Sequence, residues 1–140
     1  MAEPKRDVLI AGAGPAGCVA ALILARAGLS VTLCEAEAAA PTDLRASTFH
    51  PPTLDMLEEL GLAEGLLAQG LRAPTYQFRD RASGEAATFD IAAAADLTGF
   101  PFRLQCEQFK LTRLALAALA EAAELRFGAQ LSALAQDEDG

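Results

Sequence analysis

Between Val8 and Glu35 a short apolar run, a three-glycine turn, an apolar helical stretch, a second apolar run and an acid follow one another with almost no connecting residues. Few folds tolerate that order. Val8-Leu9-Ile10-Ala11 has the unbroken apolar character of a strand buried on both faces, and it runs directly into Gly12-Ala13-Gly14-Pro15-Ala16-Gly17. Gly12 permits a tight bend, Gly14 lets the backbone approach a pyrophosphate, and Gly17 lets the next helix lie close to the strand. Pro15 suits the first helical position, where its missing N–H costs nothing. The helix N-terminus carries free N–H groups and roughly +0.5 of a charge, which favours an anion.

Val19, Ala20, Ile23, Leu24 and Ala27 are expected to form the helix's packing face, and Gly28 to end it. A second strand over 30–34 then leads to Glu35, 18 positions after Gly17 and near the roughly 20-residue interval of an acid that holds an adenosine ribose. A carboxylate there would repel a 2′-phosphate by about 4 kcal/mol at ~4 Å and an effective dielectric near 20, so NAD or FAD is expected rather than NADP.

Composition removes several other functions. Nineteen acidic against eleven basic residues give a formal charge of −8, with no basic stretch to follow a phosphate backbone, so nucleic acid is not an expected partner. No run of 18 apolar residues predicts a membrane span, and the glycine-broken apolar start fits a strand, turn and helix better than a signal peptide; a cytoplasmic protein is expected. Cys18, Cys34 and Cys106 are widely spaced and expected to be free, buried thiols. With His50 as the only histidine, no metal site is expected.

Further along, 36–47 read as loop. Pro51 and Pro52 open a helix whose face is Leu54, Leu57 and Leu60, with Met56 beside it and a stop at Gly61; a short helix follows over 62–69. Residues 74–80 and 85–91 flank Arg81-Ala-Ser-Gly84 as two arms of a hairpin, which does not belong to a βαβ pattern and suggests a second sheet. Residues 92–101 have no clear pattern. A long helix is expected over 107–123 through Phe109, Leu111, Leu114, Leu116 and Leu119. Strands follow over 124–127 and 130–135, then a turn at 137–140. His50, just before a Pro-Pro helix start, suits capping or packing better than acid–base chemistry.

Three blocks resemble the N-terminal part of the class A flavoprotein aromatic hydroxylases, the para-hydroxybenzoate hydroxylase-like monooxygenases. They are Gly12-Ala-Gly14-Pro-Ala-Gly17 with Glu35, then Leu44-Arg45-Ala-Ser-Thr-Phe-His50-Pro with Thr53-Leu-Asp-Met-Leu-Glu-Glu-Leu-Gly61-Leu, then Arg103-Leu-Gln-Cys-Glu-Gln108-Phe-Lys-Leu-Thr-Arg113-Leu. The first is shared by many FAD enzymes; the other two are more specific.

The resemblance implies an α/β, Rossmann-like FAD/NAD(P)-binding fold, three-layered with a mainly parallel sheet, and the beginning of a second, substrate-side β-sheet. Residues 1–140 would be the N-terminal portion of an FAD-binding domain, with 72–104 contributing the hairpin. By the same resemblance the Gly12–Gly17 turn holds the pyrophosphate of FAD and Glu35 its ribose. Arg45 contacts the phosphate and flavin side, where a guanidinium fork suits an oxyanion, and Gln108 bonds near the ribityl chain or diphosphate. The parent enzyme would use NAD(P)H and O₂ to hydroxylate a small aromatic substrate, the cofactor carrying the difficult chemistry.

Tyr76, Phe78 and Phe100 to Phe102 could face that substrate, although such aromatics are more often core. Pro52 and Ala36 stand where the family often has basic residues. The later Asp-Gly and Gly-Asp segments of the family lie outside these 140 residues, so the chain alone would be catalytically incomplete. Another FAD oxidoreductase such as a halogenase or reductase, a non-catalytic dinucleotide-binding module, and an NAD-dependent dehydrogenase share parts of the pattern.

Overall fold

The computed structural model describes residues 5–136, which fall into two compact units: 5–43 with 111–136, and Leu44–Lys110. The turn expected at 137–140 lies outside the described residues.

In the first unit, β1 (Val8–Ala11), α1 (Pro15–Arg26) and β2 (Val31–Glu35) form a right-ordered βαβ unit, and β8 (Glu124–Phe127) completes a three-stranded parallel sheet in the order β1-β2-β8. Val8 pairs with Val31 and Ala11 with Cys34, while Thr32 pairs with Glu124 and Glu35 with Phe127. The third parallel strand therefore arrives only after the whole second unit has been inserted in the chain. Thr32 is buried in the middle strand, and its hydroxyl donates to Glu124 at 3.1 Å. Arg126 and Arg6 reach the same carboxylate at 2.8 Å each. Arg126 first, then Thr32, hold the Glu124 carboxyl below its ordinary range.

Four expectations are corrected here. β1 is not buried on both faces: Leu9 is 55% exposed, because β1 pairs only with β2 among the described residues and alternates its burial accordingly. The packing face of α1 is Cys18, Val19, Ala21 and Leu22, whereas Ile23 is 43% exposed and Ala27 is exposed. Val19 belongs to that face as expected, but two of its four members, Cys18 and Ala21, are small, so size alone does not mark the contact. Residues 130–135 form no strand, since nothing among the described residues pairs with them. The last helix, α4 (Gln108–Leu119), is also shorter than its apolar pattern and buries Leu111, Thr112, Ala115 and Leu119.

The second unit holds α2 (Pro51–Glu59) and α3 (Ala63–Leu67), which pack on one another, and a small antiparallel sheet ordered β3-β7-β4 (Thr48–Phe49, Arg103–Gln105, Leu71–Ala73). Leu54 and Leu57 are fully buried and Leu60 nearly so, as expected, joined by Phe49, Leu66, Phe100, Phe102 and Leu104. Met56 remains 39% exposed at the side. The sheet went unread in the sequence because strands of two or three residues are too short to show a period.

The expected hairpin is present as β5 (Thr75–Arg79) and β6 (Ala86–Asp90), a two-stranded sheet of its own, with Tyr76 opposite Phe89 and Phe78 opposite Ala87. Its turn is stabilised by Asp80, whose side chain accepts the Ala82 amide at 2.7 Å. The unassigned stretch begins with a 3₁₀ turn (Ile91–Ala94) capped by Asp90.

Asp55, inside the helix block, fastens the segment that follows. Its carboxylate accepts the Thr98 hydroxyl at 2.7 Å and the Gly99 amide at 3.2 Å, and Thr98 in turn accepts the Phe100 amide. That arrangement delivers Phe100 to the core. Asp55→Ala is expected to destabilise the chain by about 1–3 kcal/mol, two hydrogen bonds to a charged acceptor being lost at a partly buried place. An unchanged denaturant midpoint would show that the fastening is not needed.

Candidate cofactor-binding site

The glycine turn owes its shape to two different constraints. Gly12 has φ of +105°, a conformation that side chains other than glycine rarely adopt. A Cβ on Gly17 would collide with the Gly12 carbonyl oxygen and lie 3.2 Å from its carbon. Gly14 is different. It is the N-cap residue of α1, with ordinary extended angles of φ −74° and ψ 177°, and an added Cβ would meet nothing within 4 Å. The chain itself therefore leaves open space beside Gly14 at the positive end of a 12-residue helix, which is the cradle an incoming pyrophosphate requires.

Glu35 closes the turn from the other side. One carboxylate oxygen accepts the Ala13 amide at 2.8 Å and the other accepts the Glu37 amide at 3.0 Å. The Gly12 amide donates to the Cys34 carbonyl at 2.7 Å, extending the β1–β2 ladder into the turn. The structure thus brings Glu35 onto the middle of the glycine turn, residues the sequence placed in the same site. What sequence reasoning missed is that the acid is also a support for the turn. No side-chain pattern could have shown this, because the partner at Ala13 is a backbone N–H.

Behind the turn, Cys18 is buried and its thiol donates to the Ala13 carbonyl at 3.4 Å. Burial, and then the negative charge of Glu35, push this thiol up to about 11. A raised folded-state value favours the neutral thiol. Its contribution to stability is therefore complete below the ordinary value near 9 and is lost as pH rises from about 9 through 11. Cys18→Ser, or better Cys18→Ala, should flatten the fall of melting temperature over that interval, and an identical alkaline profile would contradict the assignment. Cys106 is buried as expected, while Cys34 is only half-buried.

Arg45 and Gln108 lie together in the second unit. Antiparallel pairing of β3 with β7 continues outward through the Cys106 amide to the Ser47 carbonyl at 2.8 Å and the Gln108 amide to the Ala46 carbonyl at 3.1 Å. The residue after Arg45 is thereby tied to the first residue of α4. Arg45 is exposed at a bend, and Gln108 is half-buried. His50 stands at the N-cap position of α2, but its exposed side chain makes no cap bond; its carbonyl receives the Thr53 and Leu54 amides. Phe100 and Phe102 are core residues, whereas Phe78 is 67% exposed. Among the described residues there is no group of His, Cys, Asp and Glu that could hold a metal, and no helix long and apolar enough to cross a membrane.

A parallel βαβ unit whose glycine turn is clasped by the acid at the end of its second strand defines an α/β dinucleotide-binding protein. More narrowly, the chain belongs to the FAD binding domain family, which it matches over residues 5–140. It is 34% identical over 110 residues to 6-hydroxy-3-succinoylpyridine 3-monooxygenase HspB of Pseudomonas putida (strain DSM 28022 / S16), covering 79% of this chain and 28% of that protein.

Among solved structures, p-nitrophenol 4-monooxygenase PnpA from Pseudomonas putida DLL-E4 is similar with a TM-score of 0.89 at 28% identity, over 98% of this chain and 35% of that one. The flavin-dependent monooxygenase PieE, solved with FAD and substrate, has a TM-score of 0.82 at 26% identity, over 99% and 26%. The chain thus spans 26–35% of the length of these relatives. The fold and cofactor expected from the sequence are those of the family.

Proposed function

We propose that this chain is the cofactor-binding portion of a flavin-dependent monooxygenase that hydroxylates an aromatic or similar cyclic substrate with NAD(P)H and O₂. The observation that carries the reading is the turn itself: an open cradle at Gly14 above a helix N-terminus, with Glu35 held beside it by the Ala13 amide. In this reading the backbone of Gly12, Ala13, Gly14, Pro15, Ala16 and Gly17 surrounds the pyrophosphate. Glu35 accepts from the ribose hydroxyls, Arg45 meets a phosphate oxygen, and Gln108 bonds near the ribityl chain or diphosphate. FAD, when bound, supplies electron transfer from the nicotinamide and the activation of oxygen. The chain's own residues bind and orient it. The region 72–104 contributes to the substrate side, and the three free cysteines fit a cytoplasmic setting.

Calorimetric titration of the 140-residue chain with FAD, NAD and NADP in parallel tests this. FAD is expected to bind, with NADP excluded by Glu35. A folded chain that prefers NAD, or binds none of the three, would sink the flavoprotein reading.

A further inference from the structure

Glu35 is held by its backbone as well as by its side chain. Its carbonyl accepts the Ala129 amide at 2.8 Å, and the Glu37 carbonyl accepts the Gly128 amide at 2.8 Å. Residues 128 and 129 follow β8 directly, and their bonds run against the order of the ladder. Along β2 and β8, Thr32 meets Glu124 and Glu35 meets Phe127, so later residues meet later ones. Past Phe127 the order inverts: Gly128 reaches Glu37 and Ala129 reaches back to Glu35. The chain therefore folds over the end of β2 at Gly128.

Gly128 permits that fold because its φ is +67°, a left-handed conformation that side chains other than glycine rarely adopt. A Cβ there would meet nothing within 4 Å, so the position demands glycine for its backbone angle alone. Ala36 and Glu37 are exposed, and packing does little to hold them. Glu37 is held instead by its two main-chain groups, the carbonyl on the Gly128 amide and the amide on the Glu35 carboxylate at 3.0 Å. With the Ala13 amide on the other oxygen at 2.8 Å, the carboxylate is oriented from two sides. One of those two supports leads back to Gly128.

We propose that Gly128 is a positioning residue for the ribose end of the cofactor site. Its left-handed turn fixes Glu37, and the Glu37 amide aims the Glu35 carboxylate at the ribose hydroxyls. The inference rests on the proposed function and deepens it, adding a residue that acts through Glu37 rather than by contact. Hydrogen bonds are strongly angular, so a rotated carboxylate loses the hydroxyls while the glycine turn keeps its hold on the phosphates. The ribose site is thus complete only once β8 has joined the sheet, although β8 lies beyond the whole inserted unit.

The test is calorimetric titration of the 140-residue chain with FAD, ADP and 2′,3′-dideoxy-ADP, which lacks both ribose hydroxyls and keeps the diphosphate. The wild-type chain is expected to prefer ADP over the dideoxy compound by about tenfold or more, since hydroxyls are lost to a charged acceptor. Gly128→Val should cut that preference to about threefold or less, because a β-branched residue refuses the left-handed angle. Gly128→Asn, which tolerates the angle, should keep most of it. Gly128→Ala gives a partial loss and carries the test if the valine chain does not fold. Gly28→Val is the control for strain alone: Gly28 has φ of +88° and open space, at the end of α1 far from the turn. It should lower the melting temperature and leave the preference intact. An undiminished preference in Gly128→Val and Gly128→Ala, an equal loss in Gly28→Val, or a wild-type chain that binds both nucleotides alike each overturns the proposal. If FAD binds the wild-type chain in any of these cases, only this inference is lost. A folded wild-type chain that binds neither FAD nor ADP overturns the flavoprotein reading, and this inference with it.

Discussion

Gly17→Ala is expected to lower the melting temperature by on the order of 10 °C, the largest loss for any single methyl group added to this chain. The new Cβ would be driven into the Gly12 carbonyl oxygen, and both atoms belong to backbone that is already constrained. Gly12 holds φ of +105° and donates its amide to the Cys34 carbonyl, so it cannot retreat without breaking the β1–β2 ladder. The helix could move instead, but α1 buries Cys18, Val19, Ala21 and Leu22. Overpacking of this kind costs about 1–3 kcal/mol and occasionally more, and a chain of this size loses roughly 3–5 °C per kcal/mol. Thermal unfolding followed by circular dichroism measures it directly. A loss of under about 2 °C would mean that helix and strand can separate at little cost, contrary to the packing described.

Glu35→Ala should have two effects that come apart in a second variant. Ala13 is fully buried, and removing the carboxylate leaves its amide without the acceptor it now has at 2.8 Å. An orphaned buried donor costs about 1–3 kcal/mol, so the ligand-free chain should melt several degrees lower. FAD affinity should fall by about tenfold to a hundredfold, since the ribose loses a charged partner while the turn loses its shape. Glu35→Gln keeps an acceptor oxygen for Ala13. It should recover most of the melting temperature and only part of the affinity. If alanine and glutamine variants melt together at the wild-type temperature, the carboxylate does not support the turn.

Much of the first unit was legible in the sequence because its elements are long and its turn chemistry is specific. Glycines at 12, 14 and 17, proline at 15 and an acid at 35 each answer a separate steric or electrostatic demand, and the observed βαβ unit uses them in that order. Alanines hid the inner face of α1. Ala21 is fully buried while Ile23 is 43% exposed, so side-chain size misled where closeness of packing decides. In the second unit the leucines of α2 and the hairpin turn at Asp80 were readable from local pattern. The β3-β7-β4 sheet was not, because its strands are short and its partners lie far apart in the chain. The same pairing is what brings Arg45 and Gln108 together. Their proximity is a product of register rather than of any motif.

The three glycines of the turn also answer to different kinds of selection. Substitution at position 17 is opposed by the folded chain itself, and any screen for intact protein would remove it. An alanine at position 14 meets open space and an ordinary backbone conformation, so the chain alone has no objection to it. Only a phosphate seated in that space would. Under mutational drift a chain released from cofactor binding should therefore lose Gly14 long before Gly17. A descendant that keeps Gly17 and not Gly14 would carry the fold as a relic of a ligand it no longer holds.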